Sequence, residues 1–445
     1  LQGISAVREP DTATTFRLPS NPSNGYNPRL VPPEAARPSG ESWMIRIEEA
    51  VAKVFERVSE PTGRESVPLG DCTGRVLGED VAADADSPPL DVSSMDGFAV
   101  RASDATDPSR ELRVIGEVAA GSSPAMRVGE EEAVRIMTGA ALPPGADAVV
   151  PVEASRENET AGTVRVLEAA VPGDHVRRRG ENARAGEVVA RRGLRIRPID
   201  VGVLAACGCE DVCVFVRPRC IVIPTGDEIT PVGSRPAPGR IRNSNGPMLA
   251  ALARGAGAQV DLLDPARDEI GELRERIRTG LRADVLVLSG GVSMGRRDRV
   301  IPALRAEGVE PVFHKVAIRP GKPLFFGLRG RTLVFGLPGN PVSSYLDFLL
   351  FVEPALHRLG GRDVRGRDLQ GGRAAFEIGS HPDLRLHVPC RVVRRDGDRW
   401  AEPVGYRSSG DLFGACSADA MVIVAPGIPR IAAGDRVDLL PLDSR

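Results

Sequence analysis

Val285-Leu286-Val287-Leu288-Ser289-Gly290-Gly291-Val292-Ser293 is the stretch that decides the fold. Four apolar residues without a polar break read as a strand buried on both faces, and the paired glycines end it in a sharp turn. Moving upstream, Cys220–Ile223 and Val260–Leu263 repeat the short apolar strand. A helix over Pro247–Arg254, capped by Ser244 or Asn245, fits between those two. An amphipathic helix marked by Ile270, Leu273, Ile277 and Leu281 leads into the central stretch. Downstream come a helix near Ile301, strands at Val312–Val316 and Leu333–Phe335, and a long helix from Pro341. Strands alternating with helices predict a doubly wound, mostly parallel α/β domain over residues 218–361.

Ligands of such sheets bind beyond the carboxyl ends of the strands. Four unusual loops occupy those ends: Pro224-Thr225-Gly226-Asp227-Glu228, Ser289–Ser293, Arg319-Pro320-Gly321-Lys322-Pro323 and Leu337-Pro338-Gly339-Asn340-Pro341. Glycines let backbone N–H groups approach an anion closely, and a following helix N-terminus adds positive potential. Purely structural turns are the alternative for any one loop; four on one edge predict a phosphate-bearing ligand. Lys315, Arg319 and Lys322 suit a phosphate or an oxyanion. Asp227, Glu228, Asp268 and Asp298 would repel one unless a metal bridged them, and hard oxygen donors beside phosphate suggest Mg²⁺. Asp268 has a second reading as an N-cap, since Glu269 and Ile270 open the next helix.

Residues 1–445 are too long for one core and predict about three or four domains. With 58 basic and 60 acidic residues, the chain lacks the basic excess of a nucleic-acid binder. Aromatics at 4% leave few base-stacking platforms. The most apolar helix-like stretch, Val342–Leu356, carries Asp347 and Glu353, so no membrane span is expected. No signal-peptide pattern opens the chain. Seven scattered cysteines suggest a reducing, cytoplasmic setting. Cys207, Cys209, Cys213 and Cys220 lack paired C-x-x-C spacing and read better as small buried residues than as metal ligands. No H-E-x-x-H motif, nucleophile elbow or Walker A loop is present.

Prolines from Pro10 to Pro38 predict a disordered tail over residues 1–40, with a docking peptide as the alternative. A helix follows, its apolar face formed by Met44, Ile47, Val51, Val54 and Phe55. Short strands at Leu112–Val118, Ala133–Met137, Ala148–Val152 and Val164–Leu167 predict a mostly β domain over 87–170. Pro198 reads as the first residue of a helix. Strand signals at Arg391–Val393, Ala420–Ala425 and Arg436–Leu440 predict a small β-barrel over 362–445.

Several motifs together carry a family resemblance: Ser94-Met95-Asp96-Gly97-Phe98-Ala99-Val100, Arg135-Ile136-Met137-Thr138-Gly139-Ala140, Arg178-Arg179-Gly180-Glu181-Asn182, Asn243-Ser244-Asn245, His314–Pro323, Gly336–Val342 and the loops above. The chain resembles the molybdopterin molybdenumtransferases, that is, the bacterial MoeA proteins and the E domain of gephyrin. The resemblance implies four domains: a discontinuous one from residues 41–86 and 171–217, the inserted β-rich domain, a MogA-like molybdopterin-binding α/β domain, and the C-terminal barrel. It implies a homodimer whose cleft joins one subunit's α/β domain to its partner's inserted domain, which would bring Asp96 and Thr138 to the site. The implied substrates are adenylylated molybdopterin and molybdate, and the implied products are molybdenum cofactor and AMP. Arg319, Lys322 and the Pro323 backbone, with Ser409, would hold molybdate. The loops with Thr225, Gly226, Asp227, Ser289, Gly290, Gly291, Ser293, Pro338, Gly339 and Asn340 would cradle the pterin and its phosphate. Glu228, Asp268 and Asp298 would position Mg²⁺, and Lys315 would add a catalytic cation. An upstream adenylyltransferase and apo-molybdoenzymes are the implied partners. A gephyrin-like scaffold binding a partner peptide is the second implied function. Two departures stand out: Arg296-Arg297 before Asp298, where the family usually has a further acid, and Arg319 in place of a common lysine.

Overall fold

The computed structural model describes residues 44–442, except 59, 60, 123, 293–297 and 365. The tail over 1–40, Ser293 and the Arg296-Arg297 pair therefore lie outside the described residues.

The α/β domain holds six strands: β1 (Arg219–Pro224), β2 (Gln259–Leu262), β3 (Val285–Ser289), β4 (Glu310–His314), β5 (Phe325–Arg329) and β6 (Thr332–Leu337), in the order β2-β1-β3-β6-β5-β4. β1 pairs in parallel with β2 and β3, and β3 with β6. β5 is antiparallel to both β4 and β6, so β4 points the same way as the parallel set. β5 was not expected: its run is interrupted by Gly327 and joined to β6 by a tight turn in which Gly330 takes a φ of 58°. Alternate strand residues face opposite helix layers. Cys220, Val222, Val285, Val287, Leu333 and Phe335 pack with helix α1 (Asn245–Gly255) and the run from Pro341 to Leu359. Ile221, Ile223, Leu286, Leu288 and Val334 pack with helices α2 (Ile270–Gly280) and α3 (Val300–Ala306). Period-two burial on both faces is what makes these strands read as unbroken apolar runs.

The run after Pro341 is not one regular helix. Pro341–Asp347 and Glu353–Leu359 are α-helical, with a π-helical turn over Phe348–Val352 between them. The first helix of the chain, Ile47–Arg57, buries Ile47, Ala50 and Val54 in the same core as α1. A cap expected at Ser244 or Asn245 is supplied instead by Asn243, whose Oδ1 accepts from the Gly246 N–H at 2.9 Å.

Arg64–Pro68 pairs antiparallel with Asp211–Phe215, and Val81–Ala82 with Val188–Ala190, so stretches far apart in sequence share a core around Leu77, Ile196, Leu204 and Val214. The helix Pro198–Ala206 does begin at Pro198. Between these stretches lies a six-stranded sheet of Ala148–Pro151, Gly97–Val100, Glu132–Ile136, Glu111–Val118, Thr163–Val166 and Ser155–Asn158. Its Gly97–Val100 strand is wholly buried and has no alternation to betray it.

Strands β7 (Gln370–Ala374), β8 (Arg385–Arg395), β9 (Asp398–Pro403), β10 (Ala420–Val424) and β11 (Arg436–Pro441) close as β8-β9-β7-β11-β10, with β10 pairing back to β8. Closure removes every edge except where the short strand Ile318–Arg319 adds in parallel to Arg385–Leu386. Among the described residues no helix is long and apolar enough to cross a membrane. Among the described residues no cysteine forms a disulfide, and burial pushes the Cys220 thiol in β1 up to about 12.

Candidate active site

The sheet order spreads the expected loops along one edge. Asp268 follows β2; Asp227 and Glu228 follow β1; Gly290 and Gly291 follow β3; Pro338–Asn340 follow β6; Lys315, Arg319 and Lys322 follow β4. The edge thus runs from carboxylates, through glycines, to cations. With strands roughly 4.8 Å apart, the four spacings from β1 to β4 cover about 19 Å. The reversal of strand order around β1 and β3 puts a crevice beside the first glycine loop.

The glycine loops are held by their own backbone. Gly290 takes a φ of 102°, and a Cβ there would meet the Thr225 carbonyl at 2.5 Å. Thr225 donates its N–H to the Ser289 carbonyl at 2.9 Å, and Gly290 donates to Leu337 at 3.0 Å. Asn245, which the sequence offered only as a cap, ties two loops together: its Nδ2 donates to Ser289 Oγ and to the Gly339 carbonyl, each at 2.8 Å. Its Oδ1 is buried with no hydrogen-bond partner. Ser344, also missed, donates to the Pro338 carbonyl and lies 3.5 Å from Ser289 Oγ. Ser409 reaches the edge from the C-terminal region, accepting from Asn340 Nδ2 at 2.8 Å.

At the acidic end, Glu269 caps α2 by accepting from the Gly271 and Glu272 N–H groups at 3.1 and 2.8 Å. The capping alternative for Asp268 is thereby removed. Asp268 donates its N–H to Asp227 Oδ1 at 3.2 Å, and its own Oδ1 is buried without a partner. Burial first, then Asp227, Glu228 and Asp298, hold its carboxyl above the usual carboxylate range. Among the described residues no three His, Cys, Asp or Glu converge as a ready-made metal cage. The orphaned oxygen and the mutual repulsion nevertheless fit a hydrated hard cation, since Mg²⁺ commonly uses only one or two carboxylates plus substrate phosphate.

At the other end, Lys315, Arg319 and Lys322 make no ion pair among the described residues. Lys315 holds a left-handed φ of 76°, fixed by its N–H donating to Leu324 at 2.8 Å. His314 lies 2.9 Å from the Val292 carbonyl through Nε2; burial first, then Lys315 and Arg305, depress its pKa. Burial raises the Tyr406 hydroxyl to about 12 against the opposing pull of Arg319. Gly321 has a φ of 112°, and a Cβ there would lie 2.1 Å from Asp347 Oδ1. Gly321→Ala should therefore cost about 2–3 kcal/mol from left-handed strain plus overpacking. Urea unfolding checks this; an unchanged midpoint would mean that the loop is not seated on Asp347.

Asp96 and Thr138 form a separate pair on the inserted sheet. Asp96 Oδ1 accepts from the Thr138 N–H at 2.6 Å and from its Oγ1 at 2.8 Å, and these bonds hold the exposed carboxyl below its usual range.

Known proteins resemble this chain over most of its length. Three family profiles match in order: the MoeA N-terminal region (domain I and II) over 45–208, the probable molybdopterin binding domain over 221–358, and the MoeA C-terminal region (domain IV) over 372–442. A molybdopterin molybdenumtransferase of Staphylococcus epidermidis is 32% identical over 406 residues, covering 90% of this chain and 96% of that one. The chain belongs to the molybdopterin molybdenumtransferase family. The Staphylococcus aureus protein of the same name matches it equally, at 32% over 406 residues. The crystal structure of a molybdopterin biosynthesis MoeA protein from Pyrococcus horikoshii superposes with a TM-score of 0.76 at 32% identity, over 91% of this chain and 100% of that one. This MoeA-family chain is thus placed among transferases, with a MoeA-like fold over the described residues.

Proposed function

We propose that this chain inserts molybdenum from molybdate into the dithiolene of adenylylated molybdopterin, the two sulfurs replacing molybdate oxygens that leave as water, while a water molecule cleaves the pyrophosphate to release AMP. The observation that carries the reading is the ordered edge: unpaired cations past β4, glycine cradles past β3 and β6, and mutually repelling carboxylates past β1 and β2. An elongated ligand with a pyrophosphate at one end and a tetrahedral dianion at the other matches that charge sequence. Arg319 and Lys322 hold the oxyanion, with Lys315 beside them. The N–H groups around Ser289–Gly291 and Pro338–Asn340 approach the pterin and its phosphate. Glu228, Asp268 and Asp298 are the residues that would hold Mg²⁺, which supplies neutralisation of the pyrophosphate and polarisation of its phosphorus. As the family resemblance implies, the Asp96–Thr138 pair would be lent to the cleft by a partner subunit, which makes a homodimer the active species in this reading.

The test is AMP release from adenylylated molybdopterin, scored alongside reconstitution of an apo-molybdoenzyme. Release is expected to require both molybdate and Mg²⁺, and to collapse when EDTA removes the metal. Tight ligand binding without turnover would sink the transferase reading and fit a gephyrin-like scaffold instead.

A further inference from the structure

A second charged cavity sits at the opposite end of the α/β sheet. Its walls come from Gly74–Val76, Arg195 and Phe215–Arg217 of the mixed region and from Pro218, Ala256, Gly257, His357 and Gly360 of the α/β domain, with Arg362 tied by its N–H to His357 of the last helix there. Pro218 immediately precedes β1, and Gly257 immediately precedes β2 by two residues, so the cavity lies at the amino edge of the sheet. The candidate active site occupies the carboxyl edge.

The lining includes Arg75, Arg195, Arg217, Arg362 and His357, and no carboxylate. Arg75 is already engaged: it donates to the Glu65 carboxylate and, at 2.9 Å, to the Phe215 carbonyl. Arg195, Arg217 and Arg362 make no ion pair among the described residues. Glu353, the acid that acts on Arg362, is held by Arg367 through two bonds of 2.8 Å. Burial and the neighbouring Arg195 depress the Arg362 guanidinium. Burial, then Arg362 and Arg195, push His357 down to about 3, so it stays a neutral donor or acceptor at physiological pH. Arg195 and Arg362 are close enough to repel each other, Arg217 shares the same lining, and the acid that offsets Arg362, Glu353, is already shared with Arg367.

We propose that this cavity binds a small tetrahedral oxyanion, held by Arg195, Arg217 and Arg362. Its volume is about 30 Å³, room for roughly two waters. That admits one oxyanion sunk part-way into the mouth and excludes a nucleotide or a pterin. Guanidinium forks match the oxygen geometry of such an anion. The bound ion would brace the mixed region against the α/β domain, because the arginines come from both.

The test uses protein in which Lys315, Arg319 and Lys322 are all replaced by Ala, so that the carboxyl-edge cations do not confuse the signal. Calorimetric titration with inorganic phosphate should show one saturable site and a rise in Tm. Sulfate and molybdate should compete for it, and chloride at equal ionic strength should not. Arg195→Ala should weaken phosphate binding by at least about tenfold, and Arg195→Lys should recover part of the loss. Arg195 is exposed, so this variant folds even if Arg362→Ala does not. Absence of saturable binding, binding that Arg195→Ala leaves unchanged, or equal displacement by chloride would overturn the proposal.

Discussion

Lys322→Ala should lower molybdate-dependent turnover by at least about a hundredfold, the loss typical of removing one preorganised charge stabiliser. Lys322 is exposed and makes no ion pair among the described residues, so it contributes little to folding. Its substitution should move stability by no more than about 0.5 kcal/mol. The loss should fall on kcat/KM for molybdate, with AMP binding unaffected, because the glycine cradles past β3 and β6 are untouched. Lys322→Arg should retain most of the charge effect while altering geometry. Steady-state kinetics against molybdate decide the matter. Turnover within threefold of the unsubstituted protein would remove Lys322 from the oxyanion site.

Asp347→Asn should be more stable than the parent, with a margin that widens as pH rises. Asp347 is fully buried, and neither carboxylate oxygen has a hydrogen-bond partner. Burial raises its pKa well above the ordinary range. The folded chain therefore keeps a proton that the unfolded chain releases above about pH 3.9. Stability from this group is present below that pH and falls by about 1.4 kcal/mol per unit as pH climbs toward the folded value. Asparagine has nearly the same shape and nothing to ionise, so the difference between the two proteins isolates the term. Urea midpoints measured from about pH 5 to pH 8 should diverge steadily. Parallel profiles would show that Asp347 is ionised in the fold with a partner that the geometry does not reveal.

The central parallel strands β1, β3 and β6 were legible because each is buried on both faces and flanked by glycine or proline, whereas the edge strand β2 is largely exposed. Cys220–Ile223 and Val285–Leu288 needed no periodicity, only length and flanks. Gly97–Val100 and Phe325–Arg329 were not legible as strands, because short buried runs beside glycine look like turns. At the edge, the loop residues were visible as motifs. Their order along the edge was not, because it depends on which strands become neighbours. The roles of Asn245 and Ser344 were hidden for the same reason: a polar side chain near a helix start looks like a cap until the loop opposite it is placed. Glu269 shows the converse, since it is a less favoured capping residue than the Asp268 beside it and yet accepts both bonds.

The short ladder beside Arg319 bears on how the chain can be cut. Ile45 donates its N–H to the Lys315 carbonyl at 3.1 Å and accepts from Ala317 at 2.8 Å, while Arg385 donates to Ala317 at 3.0 Å from the other side. A segment of the α/β domain is thus flanked by Ile45, which precedes the helix Ile47–Arg57, and by β8, the second strand of the barrel. Excising residues 218–361 as a module would strip both neighbours from the backbone that carries Arg319. The part that looks most self-sufficient in the sequence is the one whose cation loop leans on backbone from outside it, at Ile45 and at Arg385.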